Sequence, residues 1–243
     1  WSLIDLDEKT VEVTINEQIQ FDITDYKQLP VSSAGQLPTG FDPASQYPSR
    51  HHPRGLQLTV YGAGEALANM GVDWSLVEQA INPDQLAVYA SSAMSQLDEA
   101  GGGGLMTARL QGKRVSSKQC PLSLMQMPAD FINAYMVGGL GATGAMVGAC
   151  ATFLYDLQVA VDAIKRGEKR IAIVGNAEAP LNPSVFEGYA AMSALATDEQ
   201  LAKLDGTEGP DQRRASRPFG DNTGFTLAEG AQFVVICDDA LAL

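Results

Sequence analysis

Hydrophobic positions along this chain follow two spacings, one typical of strands and one typical of helices. Residues 11–15 (VEVTI) alternate between apolar and polar, which predicts a strand. From Leu56 to Met70 the apolar residues recur at helical spacing, and Gly71 follows as the predicted end. Residues 85–92 (QLAVYASS) form an apolar run of strand length. The early part of the chain therefore predicts strand, helix and strand in that order.

The rest of the chain continues this alternation. Helices are predicted over residues 127–137, from Ala151 to Gly167 with Leu154, Leu157, Val161 and Ile164 on one apolar face, and over residues 184–195. Strands are predicted over residues 141–149, 170–178, 225–229 and 231–239. Because strands alternate with helices, the pattern indicates an α/β fold with a largely buried sheet, and residues 1–243 are expected to form a single domain.

Two segments without either spacing are predicted to be loops. Residues 28–53 are rich in Pro, Ser and Gly and predict a long surface loop. Residues 101–104 (GGGG) lack the following Lys-Ser/Thr of a phosphate-binding loop, so a flexible loop is predicted there and no nucleotide cofactor is expected.

Composition and charge indicate a globular protein and argue against nucleic-acid binding. With 243 residues, 45% of them hydrophobic, the chain is large enough for a full core. Its formal net charge of −13 would repel nucleic acid. Two basic clusters are interpreted as solvated helix and loop charges, with docking of an acidic partner as the alternative. They are Lys165, Arg166, Lys169 and Arg170, and Arg213, Arg214 and Arg217.

The three cysteines, Cys120, Cys150 and Cys237, fit no zinc-binding spacing, so no metal is expected. Their odd number in a chain of this size favours a reducing cytoplasm over a disulfide framework. No apolar stretch reaches the roughly 18 residues of a membrane span, and the start of the given sequence shows no basic region followed by an apolar run, so no signal peptide is expected there. The first residue is Trp1, so the chain is expected to be part of a longer sequence.

Cys150 stands between a small apolar run and the helix predicted from Ala151. Most free cysteines are small buried residues, and Cys150 fits that description. It also fits a nucleophile, because the dipole and unpaired amides at a helix start favour a thiolate. Cys120 has no such setting, and Cys237 lies within an apolar strand and is expected to be core.

The segment GACAT (148–152), with AMVGA before it and an amphipathic helix after it, resembles the nucleophile motif of β-ketoacyl synthases, the condensing enzymes of the thiolase-like superfamily. Other segments resemble the family in the same order: residues 34–67, 120–152 (the run leading to the nucleophile), 173–197 and 216–239. The resemblance covers nearly all of the chain. It implies a thiolase-like α/β fold of layered helices and a mixed sheet, of which this chain would be the N-terminal half, trimmed at both ends.

The resemblance also implies a reaction. Cys150 would accept an acyl chain from an acyl carrier protein as a thioester, and its backbone amide would form part of an oxyanion hole. A malonyl unit would then lose CO2 and attack that thioester, in fatty acid or polyketide synthesis. The acyl pocket would include Leu124 first, with Met125 and Met127 as further candidates, and simple core packing of these side chains is the alternative. Phe219 would lie near the site, although as a lone aromatic residue it is predicted to be core.

A homodimer is implied as well, because in the family the strand before the nucleophile pairs across a two-fold axis. Residues 141–149 are small and apolar enough to be buried in that way.

This chain departs from the family pattern at several positions. The family's two histidines follow the nucleophile, whereas the two present here, His51 and His52, precede it and are interpreted as a solvated or subunit-contact pair. Phe153 replaces a small residue and is expected to narrow the substrate pocket or to move the helix start. Gly148 stands where Thr is common, and Thr223 replaces an aspartate. Residues 1–243 alone are therefore not expected to condense anything.

Two other functions remain open. One is a non-catalytic partner subunit of the chain-length-factor kind, which Phe153 favours and the retained cysteine opposes. The other is a cysteine hydrolase, which the missing G-x-C-x-G motif and the lack of a suitable histidine oppose.

Overall fold

The computed structural model describes residues 2–7, 10–14, 28–49, 51–139 and 141–242. Its strands are β1 (Ser2–Asp7), β2 (Thr10–Thr14), β3 (Leu86–Ser91), β4 (Ala142–Gly144), β5 (Ile171–Glu178) and β6 (Gly230–Cys237). Its helices are α1 (Arg54–Asn69), α2 (Trp74–Ala80), α3 (Gly102–Thr107), α4 (Met127–Ile132), α5 (Thr152–Lys165), α6 (Pro183–Ala191), α7 (Asp198–Asp205) and α8 (Asp239–Ala242).

The central sheet has the order β4-β3-β5-β6. Strands β4, β3 and β5 are parallel, and β6 is antiparallel to β5. A separate antiparallel hairpin joins β1 to β2. The carboxyl ends of β3, β4 and β5 therefore meet at one edge of the sheet, which is where open α/β sheets bind their ligands.

Helices cover both faces of this sheet. Helices α1 and α4 pack on one face and α5 packs on the other. Alternate strand residues supply the two interfaces, because successive side chains of a strand point to opposite faces. The first face buries Leu86, Val88, Ile171 and Ile173, and the second buries Ala87, Ala172 and Val174. The predicted α/β architecture with a buried mixed sheet is confirmed.

Most predicted elements are confirmed at nearly their predicted bounds. The predicted strand 11–15 corresponds to β2, with Ile15 outside the described residues. The helix predicted from Leu56 begins two residues earlier, after Pro53, and Gly71 follows it with φ +74°. Within the segment 127–137, α4 continues as a π-helical turn over Asn133–Val137.

The strand predicted over residues 141–149 is wrong beyond Gly144. The next backbone amides are bound by side chains of α5 rather than by a neighbouring strand. The Met146 amide donates to Asp156 Oδ1 (2.7 Å), and the Gly148 amide donates to Thr152 Oγ1 (3.1 Å). Residues 145–148 therefore form a loop fixed to the helix that follows them, and Met146 and Val147 are about half exposed.

The flexible loop predicted for GGGG is also wrong, because residues 102–104 begin α3 and both Gly102 and Gly104 are buried. A Cβ atom at Gly104 would lie 1.8 Å from the carbonyl oxygen of Glu99, and one at Gly103 would lie 2.0 Å from that of Leu97. The glycines are required for close backbone packing rather than for flexibility.

The inward face of α5 differs from the predicted apolar face. Leu154 is 62% exposed, and the buried positions are Thr152, Asp156, Ala160 and Ala163. Small residues on this face allow the helix to approach the sheet closely. Leu157 and Ile164 still pack on the sheet from the side.

Three further predictions need correction. The helix predicted to reach Leu195 ends at Ala191, since Ser193 adopts φ +55°. Residues 225–229 form no continuous strand, because Phe225 and Ala228 bridge to two different segments. Cys237 is exposed rather than core, since it ends β6 at the rim of the sheet.

Most arginines of the two basic clusters form ion pairs within the chain. They are therefore paired charges rather than purely solvated ones. The pairs are Arg170–Asp238, Arg166–Glu168 and Arg213–Asp211, with Arg214 and Arg217 both on Asp205. In the described part of the chain, every helix falls short of the length and hydrophobicity that a membrane crossing requires.

Candidate active site

Cys150 lies at the carboxyl edge of the sheet, six residues after the end of β4. It occupies the 3-10 turn Ala149–Ala151, which leads directly into α5, and its side chain is exposed. The prediction that this cysteine sits at a helix start is confirmed. The Ala151 amide donates to the Gly148 carbonyl, but the Cys150 amide makes no hydrogen bond among those described, so it is available to an anion at the thiol.

The backbone that presents Cys150 is held by α5 itself. Ala149 adopts φ +50°, a left-handed conformation that L-residues rarely take. Thr152 Oγ1 donates to the Ala149 carbonyl (2.7 Å) and accepts from the Gly148 amide (3.1 Å). The strained turn is therefore stabilised by a side chain two residues after the cysteine.

Asp156 lies one turn further along α5 and is completely buried. Its carboxylate accepts from the Met146 amide (2.7 Å) and from Ser91 Oγ (3.2 Å). Burial raises the pKa of Asp156 to about 6, and the two hydrogen bonds partly oppose that rise. The hydrophobic pattern gave no indication of this residue.

Tyr189 lies close to Cys150 and to Glu178, and neither Tyr189 nor Glu178 was predicted as a site residue. Burial raises the pKa of Tyr189, and the neighbouring Cys150 and Glu178 raise it further. Glu178 ends β5, and its carboxylate accepts from the backbone amides of Ala93, Met94 and Ser95. The strand predicted over residues 170–178 ends on this acidic residue. Because α/β sheets bind ligands beyond the carboxyl ends of their strands, its position was the sequence signal that could have identified Glu178.

Phe153 is half-buried and packs against the sheet beside Ala160. It also forms one wall of an open groove of about 490 Å3, which Asn176, Glu178 and residues 228–232 complete. Helix α5 still begins at Thr152, so the bulky ring does not displace the helix start. Its role in substrate binding stays a prediction.

The other predicted pocket residues are not brought to Cys150 by any described contact. Leu124 is 43% exposed, and Met125 is 44% exposed with its carbonyl accepting from the Ser92 amide. Met125 thus lies at the end of β3, near the same edge of the sheet. Phe219 is fully exposed with φ +63°, so the expectation that it is core is wrong.

His52 is partly buried against aromatic rings and His51 is exposed, so the interpretation as a solvated residue is wrong for His52. Its ring packs against Phe131 (4.8 Å between centroids), Tyr47 and Tyr135, and its Nδ1 lies 3.2 Å from the Tyr47 hydroxyl. Burial lowers the pKa of His52, and Lys118 and His51 lower it further. His52 thus joins the segment before α1 to α4 and the π-helical turn after it, and none of these contacts involves Cys150.

Gly148 and Thr223, which both depart from the family pattern, lie in surroundings that the structure describes. A Cβ atom at Gly148 would lie 2.0 Å from the ring of Tyr155, so this ring fills the space that a threonine would need. The Thr223 hydroxyl is buried with no hydrogen-bond partner among the described residues. Within the same described part, no three His, Cys, Asp or Glu side chains are placed to bind a metal ion.

The sequence and the fold both match known proteins. The β-ketoacyl synthase N-terminal domain family matches residues 5–242. The chain is 54% identical over 243 residues to the β-ketoacyl-[acyl-carrier-protein] synthase FabY of Pseudomonas aeruginosa, covering all of this chain and 38% of that protein. The crystal structure of the ketosynthase FabY from P. aeruginosa superimposes with a TM-score of 0.89 at 53% identity, over 100% of this chain and 38% of the other.

A more distant structure shares the fold. It is a type II polyketide acyl-carrier protein in complex with its ketosynthase, which matches with a TM-score of 0.64 at 19% identity, over 88% of this chain and 48% of the other. The chain thus spans well under two thirds of the length of these relatives. The family match covers nearly the whole chain and the thiolase-like ketosynthase fold accompanies it, so this chain belongs to the β-ketoacyl synthase family, over its N-terminal domain.

Proposed function

We propose that the protein containing this chain is a condensing enzyme in which Cys150 carries the growing acyl chain. The observation that supports this most directly is an exposed thiol in the turn before α5, at the carboxyl edge of the sheet. The acyl chain would be of the fatty acid or polyketide type, in line with what the matched relatives are named for.

The proposed chemistry has two stages. In the first, the Cys150 thiol gives up its proton and its thiolate attacks the carbonyl carbon of an acyl thioester; a new carbon–sulfur bond forms, the bond to the carrier sulfur breaks, and the carrier thiolate leaves and takes up a proton in place of the one Cys150 lost. In the second, a malonyl thioester loses CO2, and the resulting carbanion attacks the acyl–Cys150 thioester. A carbon–carbon bond forms, and the Cys150 thiolate is released for the next turnover.

Amides at the head of α5 support both stages. An amide aimed at a developing oxyanion can contribute about 3 kcal/mol of transition-state stabilisation in sites of this kind. In our proposal the Cys150 amide is one of these donors.

The second stage requires groups that this chain does not place after Cys150. The resemblance calls for two histidines downstream of the nucleophile, and both histidines here precede it. We therefore propose that residues 1–243 supply acyl acceptance and that decarboxylation requires the protein at its full natural length. By themselves these residues are expected to be inactive in condensation.

An acyl carrier protein is the proposed partner, on the basis of the carrier named for FabY and the carrier complex of the polyketide ketosynthase. We also propose a homodimer that pairs through β4, because β4 is an edge strand of the described sheet and is followed by the exposed Met146 and Val147. The three cysteines are all free thiols, which is consistent with a cytoplasmic location.

Competition between the cysteines tests the nucleophile. All three are exposed, so accessibility alone would make them react with iodoacetamide at similar rates. Burial raises the pKa of Cys237, with Asp238 and Asp239 adding to the rise, so this thiol should react slowly at pH 7. We expect Cys150 to be alkylated roughly tenfold faster than Cys120 or Cys237.

Equal, slow alkylation of the three cysteines would contradict this assignment. It would favour the chain-length-factor alternative, a partner subunit with the same fold and no nucleophile. Peptide mapping by mass spectrometry measures the three rates in one sample, so each cysteine serves as a control for the others.

A further inference from the structure

Two buried polar side chains of α5 face the loop that precedes Cys150. Thr152 is 2% exposed and Asp156 is completely buried, and they lie one helical turn apart on the same face. Burying a carboxylate is costly unless it is hydrogen-bonded or paired. A helix that only packed against the sheet would carry apolar residues there, as it does further along at Ala160 and Ala163.

Asp156 joins three separate parts of the fold. It belongs to α5, its Oδ1 accepts from the Met146 amide (2.7 Å), and its Oδ2 accepts from Ser91 Oγ (3.2 Å) at the end of β3. Met146 follows β4, so the carboxylate connects the helix after the nucleophile to the carboxyl ends of two adjacent strands.

The chain between Met146 and Cys150 has little remaining freedom. Thr152 binds Gly148 and Ala149, and the Ala151 amide donates to the Gly148 carbonyl (3.0 Å). Among the described side chains, Asp156 and Ser91 hold the segment at Met146, before this turn begins: Asp156 Oδ1 accepts from the Met146 amide (2.7 Å), and Ser91 Oγ donates to the Met146 carbonyl over a longer distance (3.4 Å). Removing the Asp156 side chain would leave the strained turn at Ala149 tied to the sheet through this longer hydrogen bond, with no acceptor for the Met146 amide.

We propose that Asp156 is a positioning residue for Cys150: its carboxylate fixes the 145–148 loop and so sets the position of the Cys150 amide and thiol relative to the sheet edge. The residue does not touch the reacting atoms, and it acts through the loop. This inference rests on the proposed function of Cys150 and names a residue that supports it.

The test compares Asp156→Ala with Asp156→Asn in the protein at its full natural length. Asparagine retains an oxygen that can accept from Met146, and its amide group can donate to Ser91 Oγ, so Asn is the conservative variant. Asp162→Ala is the matched control, because it removes another carboxylate of α5 whose described contact is with Gln158.

Two reactions of Cys150 separate positioning from simple folding. Acylation by the octanoyl thioester of N-acetylcysteamine requires an aligned oxyanion donor, whereas alkylation by iodoacetamide requires only an accessible thiolate. We expect Asp156→Ala to slow acylation roughly tenfold or more while alkylation changes less than about threefold, since small misplacements of reacting groups have large effects on rate. Asp156→Asn and Asp162→Ala should remain within about twofold of the wild type.

Hydrogen exchange at residues 145–148 gives a second readout that does not depend on Cys150 chemistry. We expect faster exchange there in Asp156→Ala and not in Asp162→Ala. An unchanged exchange rate in Asp156→Ala, or acylation at the wild-type rate, would overturn the positioning role. Failure of the wild-type protein to acylate Cys150 at all would instead count against the proposed function, and the exchange measurement would still decide the role of Asp156.

Discussion

Asp156 carries its charge inside the protein, and that charge makes stability depend on pH. Burial raises its pKa from 3.8 to about 6, so the unfolded state ionises at lower pH than the folded state. The free energy of unfolding therefore falls as the pH rises from 3.8 to about 6, and above about pH 6 it levels off.

The prediction is a pH-dependent difference between the wild type and Asp156→Asn. Between pH 5 and pH 7.5 the free energy of unfolding of the wild type should fall by about 1.4 kcal/mol relative to the variant, roughly one pKa unit. Urea unfolding at both pH values measures it, and Asp162→Asn controls for the change in net charge. A difference that does not vary with pH would contradict the buried, ionised carboxylate.

Glu178 stabilises the folded state, because its carboxylate accepts hydrogen bonds from backbone amides that would otherwise lack partners. Glu178→Ala leaves the amides of residues 93–95 without their acceptor and should destabilise the protein by about 3 kcal/mol or more. Glu178→Gln retains one oxygen and should lose about half as much. Glu65→Ala, at an exposed position of α1, should stay within about 0.5 kcal/mol in the same urea unfolding experiment.

The position of an individual residue was predictable where the neighbouring sequence determines the secondary structure around it. Cys150 follows a small apolar run and precedes a periodic segment, so its place at a helix start was visible. Asp156 was not, because a lone acidic residue in a helical pattern ordinarily marks the solvent face. Phe219 is predicted to be core as a lone aromatic residue, and Cys237 because it lies within an apolar strand; neither residue type nor hydrophobic pattern reports which segments remain uncovered.

Helix α3 shows the same limit at the scale of an element. Four consecutive glycines have low helix propensity, so a loop was the reasonable prediction. The helix forms because its backbone packs directly on the carbonyls of Leu97 and Glu99, which leaves no room for a Cβ atom. Long-range contact overrides local propensity here, and no single sequence contains that information.

Substitution of Gly104 tests this explanation. Gly104→Ala would place a Cβ atom 1.8 Å from the Glu99 carbonyl oxygen, and we expect a loss of about 2 kcal/mol or more in the free energy of unfolding. Gly188→Ala is the control, since Gly188 lies within α6 with nothing within 4 Å of an added Cβ. That variant should be neutral or more stable by up to about 1 kcal/mol. Equal effects of the two substitutions would contradict the packing explanation.

The sheet itself was largely predictable, because its strands are short apolar runs separated by helices. Residues 170–178 and 231–239 were predicted almost as they occur in β5 and β6. The misjudged strands, 141–149 and 225–229, are those whose backbone bonds to side chains or to distant loops. A hydrophobic pattern does not distinguish such segments from paired strands.

At the scale of the whole molecule, the proposed dimer makes a specific prediction. If β4 pairs with its copy in a partner, Val147→Glu should place a charge at the interface and convert the dimer to monomers in sedimentation velocity. Leu110→Glu changes a highly exposed apolar residue that is not part of β4 or of the loop after it, and should leave the mass unchanged. A wild-type monomer at micromolar concentration, or a dimer insensitive to Val147→Glu, would contradict pairing at this edge.

The proposed function depends on Cys150 accepting an acyl group. The most direct measurement is incubation of the protein with an acyl–acyl carrier protein, followed by intact mass and peptide mapping. We predict a mass increase of one acyl group on the Cys150 peptide, lost in Cys150→Ala. No acyl addition, or addition at Cys120 or Cys237 instead, would contradict it.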